Sequence, residues 1–223
     1  MLASQTVENY LKTIYLAQTE LASSKEFVPM GHLASSLGVV PGTATTMVKT
    51  LSESGLVRYE PYVGVRLTAS GEKLASLVLR RHRLIELFLV KVLGMSWADV
   101  HDEAEQLEHA VSERLIDRID EMLGRPDVDP HGDPIPTAQG KIARPDHPDL
   151  LTAPIGTPLL VARILDQDAS FLRFVEQQGL VPGHPVTIES RDAAADSVAV
   201  RRETGDLVTI GARAASKVLV RPA

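Results

Sequence analysis

Met30-Gly-His-Leu-Ala-Ser-Ser-Leu-Gly-Val-Val-Pro41-Gly-Thr-Ala-Thr-Thr-Met-Val-Lys-Thr-Leu-Ser-Glu-Ser-Gly55 decides the architecture of the first part of the chain. Leu33, Ala34 and Leu37 mark one face of a short helix over 30–37, and Gly38 follows where a helix C-terminus favours a left-handed residue. Pro41 opens a second helix at a position where a missing N–H costs nothing. Ala44, Met47, Val48 and Leu51 give that helix an inward face to about Ser54, and Gly55 ends it. Upstream, Val7, Tyr10, Leu11, Ile14, Tyr15 and Ala17 predict a helix over 5–22. Downstream, Leu56–Glu60 and Val65–Thr68 read as strands joined by a Pro61-Tyr-Val-Gly64 turn.

Helix, glycine turn, second helix and β-hairpin in that order make a winged helix-turn-helix, a DNA-binding arrangement. The outward residues at the start of its second helix are Pro41, Gly42, Thr43, Thr45, Thr46 and Lys49. Small hydroxyl side chains there reach base edges, and their methyls meet thymine methyls. Lys49, Arg58 and Arg66 are candidates for phosphate contacts. The net charge of −6 argues against a nucleic-acid partner for the whole chain, but the charge is divided. Residues 1–86 carry nine Lys/Arg against seven Asp/Glu, so the acidic excess lies entirely behind them.

That acidic part begins with a set of possible metal ligands. Ser70-Gly-Glu-Lys starts a long helix to about Val92, on which His82 and Glu86 share a face at i, i+4. In His101-Asp-Glu-Ala-Glu105-Gln-Leu-Glu108-His109, four ligand-type side chains fall at i, i+4, i+7 and i+8. We read residues 96–124 as one helix, capped by Ser96 with Asp99 and ended by Gly124, with Val100, Ala104, Leu107, Val111 and Leu115 on its apolar face. Asn9, flanked by apolar positions in the first helix, offers a carbonyl oxygen. Ile116, Ile119 and Leu123 exceed the needs of one small domain and suggest a dimer contact.

Eight of the 14 prolines fall between Pro126 and Pro158, which reads as a stiff linker. Beyond it the period changes to two. Leu159–Leu165, Val186–Arg191, Val198–Arg202, Leu207–Ile210 and Val218–Val220 are short strands, with one helix at Phe171–Gln178. They suggest a small β-barrel. The absence of cysteine excludes disulfides and thiolate metal sites. No apolar run approaches a membrane span, and Met1-Leu-Ala-Ser-Gln-Thr-Val-Glu8 has no basic-then-apolar pattern, so no membrane and no signal peptide are expected and the cytoplasm is the expected location.

Several stretches together resemble the diphtheria-toxin-repressor family of iron- and manganese-dependent transcriptional regulators. They are Glu8-Asn-Tyr-Leu-Lys-Thr-Ile-Tyr15, Leu67-Thr-Ala-Ser-Gly71, Arg81-His-Arg-Leu-Ile-Glu86, Val100-His-Asp-Glu-Ala104, Leu107-Glu-His109 and Pro130-His-Gly-Asp-Pro-Ile-Pro136, with Gly179-Leu-Val-Pro-Gly183 in the terminal module. The resemblance implies a mainly α fold with a small β part: a winged helix-turn-helix (1–72), a helical metal-binding and dimerisation domain (73–140), a linker (141–157) and an SH3-like β-barrel (158–223). It also implies two metal sites. Asn9, Glu105, Glu108 and His109 match the primary site. His82, Glu86 and His101 match the ancillary site, completed from the β-domain by Asp168 or its rival Asp166, and in some manganese-responsive members by the histidine here numbered His131. Glu105 follows the manganese pattern, where iron-type members place cysteine. Asn9 follows neither pattern and raises Glu8 as a substitute.

The expectation is therefore a homodimeric repressor, not an enzyme. It would sense Mn(II), or Fe(II), and bind a pseudo-palindromic duplex operator of metal-uptake genes, taking no small organic substrate. Zn(II) or Co(II) would substitute in vitro. Two other readings compete with it. Glu105-Gln-Leu-Glu-His109 approaches a zinc-protease pattern, but Glu stands where that pattern has its first His. A winged-helix repressor responding to an organic ligand, or to none, explains the front half but not the ligand faces.

Overall fold

The computed structural model describes residues 4–21, 26–143 and 145–223; Ala22, in the expected first helix, lies outside them. The chain divides into two compact units, Met1–His82 with Pro136–Ile142, and Arg83–Ile135 with Ala143–Ala223.

In the first unit α1 (Gln5–Glu20) is followed by α2 (Met30–Ser36) and α3 (Pro41–Glu53). The hairpin pairs β1 (Val57–Glu60) with β2 (Gly64–Leu67) antiparallel, and Val28 makes an isolated antiparallel bridge to Val65. The elements form because their apolar spacing converges. Leu11, Ile14, Leu33, Ala44, Val48, Leu51 and Val65 make one core. Polar anchors fix the rest. Gln18 Oε1 accepts from the Leu67 amide at 2.9 Å, tying α1 to the wing. Thr68 Oγ1 accepts from the Gly71 amide at 3.2 Å and starts α4 (Ala69–Lys91). Gly71 is required by proximity, because a Cβ there would stand 2.0 Å from the Leu56 carbonyl oxygen.

The second unit carries the rest of α4, then α5 (Val100–Leu107) and α6 (Glu113–Met122). The single helix expected over 96–124 is therefore two. Glu108 caps α5, and Ser112, extended at φ −74° and ψ 152°, caps α6 by accepting from the Leu115 amide. Asp99, not Ser96, is the N-cap residue of α5; Ser96 Oγ instead accepts from the Ala98 amide. Ile116 and Ile119, expected at a dimer contact, are buried against Leu84, Ile85 and Val100 within their own unit. Leu115 and Met122 are the apolar side chains that α6 leaves exposed.

The terminal module follows as β3 (Pro158–Ile164), α7 (Ala169–Gln177), β4 (Pro185–Asp192), β5 (Ser197–Arg202), β6 (Leu207–Gly211), α8 (Ala212–Ala215) and β7 (Val218–Pro222). Its five strands pair antiparallel in the order β6-β5-β4-β3-β7, an SH3-like sheet bent by register shifts in β3 and β4. Among the described residues no β6–β7 ladder closes it into a barrel. Part of the expected linker is packed. Leu150 and Ala153 are buried in this module's core, and Arg191 holds their carbonyls through its guanidinium.

Gly71→Ala should cost about 1–3 kcal/mol, the usual range for overpacking, read as a fall in the denaturation midpoint of the purified protein. An unchanged midpoint would show that the contact with Leu56 is slack.

Candidate metal centre

Helix α4 carries the run Arg80-Arg81-His82-Arg83, buried despite its charge. Each guanidinium has a partner. Arg80 Nη1 donates to the Pro136 carbonyl at 2.9 Å, and Arg81 Nη2 lies 2.7 Å from Glu8 Oε1. Arg83 reaches the loop of residues 129–134, donating to the Pro134 carbonyl and lying 3.6 Å from Asp129 and 3.3 Å from Asp133.

That loop is the part of the centre that sequence reasoning took for a stiff linker. Asp129 Oδ1 accepts from the amides of His131 (2.8 Å) and Asp133 (2.9 Å), which folds the loop over its own carboxylate. Gly132, at φ +85°, has no room for a side chain, since a Cβ would lie 2.0 Å from the Ala162 carbonyl oxygen of β3. The His131 carbonyl accepts from the Ile164 amide at 2.9 Å. Asp133 is held by Arg163 and Gln167 as well as Arg83.

Glu86, Asp129 and His131, all buried, bring one ligand atom each to within 4.8 Å of one another. His131 Nδ1 lies 3.9 Å from Glu86 Oε2 and 4.0 Å from Asp129 Oδ1. Glu86 also receives His101, whose Nδ1 is 3.3 Å from Oε1. His82 stands one turn before Glu86 on the same unbroken helix, buried like it. Glu86 thus meets candidate donors on two sides. Asp129 was missed from sequence, although Asp129-Pro-His-Gly-Asp133 carried it two residues from a chosen histidine.

The electrostatics of this pocket suit a cation. Burial, together with the neighbouring Asp133 and Glu86 carboxylates, pushes the Asp129 carboxyl well above the usual range, against the opposing pull of Arg83. Asp129 Oδ2 and His131 Nδ1 are buried without hydrogen-bond partners. Orphaned donor atoms of this kind cost free energy unless something ligates them. Carboxylate oxygen and imidazole nitrogen without sulfur fit Mn(II), Fe(II) or Zn(II).

Glu108 is fully buried with His109 Nε2 at 3.3 Å, at the end of α5, and Glu105 is exposed with His101 Nε2 at 3.9 Å. The Asn9 amide oxygen is buried and unpartnered, whereas Glu8, its proposed substitute, is committed to Arg81. Asp168 does not join the cluster. It is the N-cap of α7, accepting from the amides of Ser170 and Phe171, and the Ser170 contacts hold its carboxyl below the ordinary range. Its rival Asp166 pairs with Lys217, which lowers its carboxyl in the same way.

In the first unit Pro41 begins α3, and Gly42, Thr43, Thr46 and Lys49 are exposed near its start. Thr45 and Thr46 donate their hydroxyls back to the carbonyls of Pro41 and Gly42, at 2.8 and 3.0 Å. Arg58 and Arg66 are cross-strand partners in the wing; Arg58 pairs with Glu60, and the Arg66 guanidinium stacks 5.2 Å from the Phe27 ring.

A winged DNA-binding unit followed in the chain by helices rich in carboxylate and imidazole defines a metal-responsive transcriptional regulator. Residues 2–65 match the "Iron dependent repressor, N-terminal DNA binding domain", residues 68–137 its "metal binding and dimerisation domain", and residues 149–222 the "FeoA domain". The iron-dependent repressor IdeR of Mycobacterium leprae is 32% identical over 200 residues, covering 84% of this chain and 85% of that protein. The regulator MntR of Lysinibacillus sphaericus is 34% identical over 118 residues, 53% of this chain and 81% of that protein. A solved structure described as a manganese-dependent transcriptional repressor in complex with manganese is 40% identical, with a TM-score of 0.87, and covers 97% of this chain and 100% of that one. The chain belongs to the iron-dependent repressor family.

Glu86→Gln should lower the number of Mn(II) ions bound per chain by one. Titration with Mn(II) followed by electron paramagnetic resonance of the free ion would read the loss as one fewer bound ion per chain. An unchanged count for Glu86→Gln would dismiss the cluster as a ligand set.

Proposed function

We propose that the protein is a homodimeric, metal-activated repressor that senses Mn(II), with Fe(II) as the alternative effector, and that controls metal-uptake genes through a pseudo-palindromic operator. The observation that carries this reading is the buried, sulfur-free donor set of Glu86, Asp129 and His131, with two orphaned ligand atoms. The manganese-bound structure similar over almost the whole chain supports the choice of ion. Zn(II) or Co(II) would substitute in a test tube, since affinity alone favours later divalent ions. The reading makes the protein a cytoplasmic regulator rather than an enzyme; among the described residues no helix is long and apolar enough to cross a membrane.

Two ligand groups are assigned. Glu86, His82, His101, His131 and Asp129 form the ancillary set, with Asp129 in the place first given to Asp168. Glu105, Glu108 and His109 form the activating set. Asn9 is added to it on the strength of its orphaned oxygen. A bound divalent ion supplies positive charge to carboxylates that otherwise repel one another. The residues of the chain do the rest. Occupancy of the activating set is what switches on DNA binding by the reading head. Dimerisation sets two reading heads at the spacing of successive major grooves.

At the DNA, the back-bonded hydroxyls of Thr45 and Thr46 leave their methyls as the groups offered to bases, so α3 reads thymine methyls by apolar contact. Lys49, Arg58 and Arg66 meet phosphates and set register.

Purified metal-free protein incubated with genomic fragments should enrich operator DNA in Mn(II) or anaerobic Fe(II) and not in chelator. Equal enrichment in chelator would overturn metal activation. On the recovered operator, Thr46→Val should bind like the parent and Thr46→Ser more weakly, because only the former keeps the methyl. Equal binding by Thr46→Ser would exclude methyl readout. Lys49→Ala should weaken binding evenly across sequences and reduce the salt dependence by about one counterion.

A further inference from the structure

We infer that Trp97 is the positioning residue of His131, and that it makes Nδ1 the metal-binding atom of that ring. The inference rests on the reading of Glu86, Asp129 and His131 as metal ligands. His131 Nε2 lies 2.8 Å from the Trp97 carbonyl oxygen. A carbonyl oxygen only accepts, so Nε2 carries the proton. In the neutral ring that leaves the lone pair on Nδ1. Nδ1 is buried, has no hydrogen-bond partner, and is the ring atom that faces Glu86 and Asp129. The indole of the same residue stacks on the imidazole, with ring centroids 5.6 Å apart and planes 28° apart. One residue therefore fixes the tautomer through its main chain and the ring plane through its side chain.

The surroundings make this a device for holding a ring rather than a chance contact. His131 is fully buried, and its main chain is pinned from both sides, by Asp129 Oδ1 at its amide and by the Ile164 amide at its carbonyl. Trp97 is itself seated in the core of the terminal module with Leu172 and Leu180. The ring has no freedom to exchange its two nitrogens without breaking the stack or abandoning the carbonyl. Groups that hold the far nitrogen of a ligating histidine raise its basicity and fix its aim.

The test uses the intact protein and Zn(II), which is diamagnetic. Long-range proton–nitrogen spectra resolve the imidazole nitrogens of the seven histidines, and the His131 signals are those missing from His131→Gln. On addition of Zn(II), His131 Nδ1 should shift as a metal-bound nitrogen while Nε2 keeps its directly bonded proton. Metal binding at Nε2, with loss of that proton, would overturn the inference. If neither nitrogen changes, the ligand reading of the cluster fails and the inference falls with it, a result distinct from the previous one. A second arm measures the affinity of the cluster for Mn(II). Trp97→Phe, which keeps an aromatic stack, should bind like the parent. Trp97→Leu should bind roughly 10- to 100-fold more weakly, the usual effect of losing a group that orients a ligand. Equal affinities for the two variants would contradict the role given to the indole.

Discussion

Glu86, Asp129 and Asp133 bury three carboxylates in one region of the second unit, each no more than 4% exposed. Buried charge of one sign is tolerated only where cations and hydrogen bonds balance it. Arg83 and Arg163 balance Asp133, and two backbone amides satisfy one oxygen of Asp129. The other oxygen of Asp129 has no hydrogen bond and only Arg83, at 3.6 Å, to oppose it, and its carboxyl is pushed upward by burial and its neighbours. This partly balanced carboxylate is the constraint from which the proposed ligand chemistry follows. A divalent cation is the ordinary remedy for it.

The same balance explains why the loop of residues 129–134 is not the linker its prolines suggest. Proline restricts the chain, but the loop is fixed by polar capture. Arg83 grips it from α4, Asp129 folds it inward, and β3 closes on Gly132 so tightly that a methyl group does not fit. The candidate ligands of this loop, Asp129 and His131, are therefore part of the packing between the C-terminal part of helix α4 and the terminal module, within the second unit. The SH3-like sheet helps to hold the donors even though its own acids, Asp166 and Asp168, are used for an ion pair and a helix cap.

Much of the fold was legible because local rules agreed with one another. Gly38, Pro41 and Gly55 punctuate the helices of the DNA-binding part, and period-two runs marked the strands of the terminal module. The errors came where two rules compete. Helical periodicity runs on from His101 to Leu123, and it hid the break at Ser112, a strong N-cap residue followed by Glu113. That break leaves Ile116 and Ile119 in the core and not on a partner-facing stripe. Asp168 was offered as a ligand by the family resemblance, but Asp before Ala-Ser is also a helix cap, and in this structure its carboxylate caps α7. Asp129 could not be singled out because nothing local distinguishes a buried aspartate in a proline-rich stretch from a solvated one. Its role depends on Glu86, 43 positions away. Two of the expected histidines, His101 and His131, do meet the same glutamate.

Anomalous diffraction at the manganese edge from crystals of the Mn(II)-loaded protein tests this account most directly. It predicts a manganese peak enclosed by Glu86, Asp129 and Nδ1 of His131. Density for a fully loaded protein with no peak there, and with Asp129 and His131 still unligated, would contradict it.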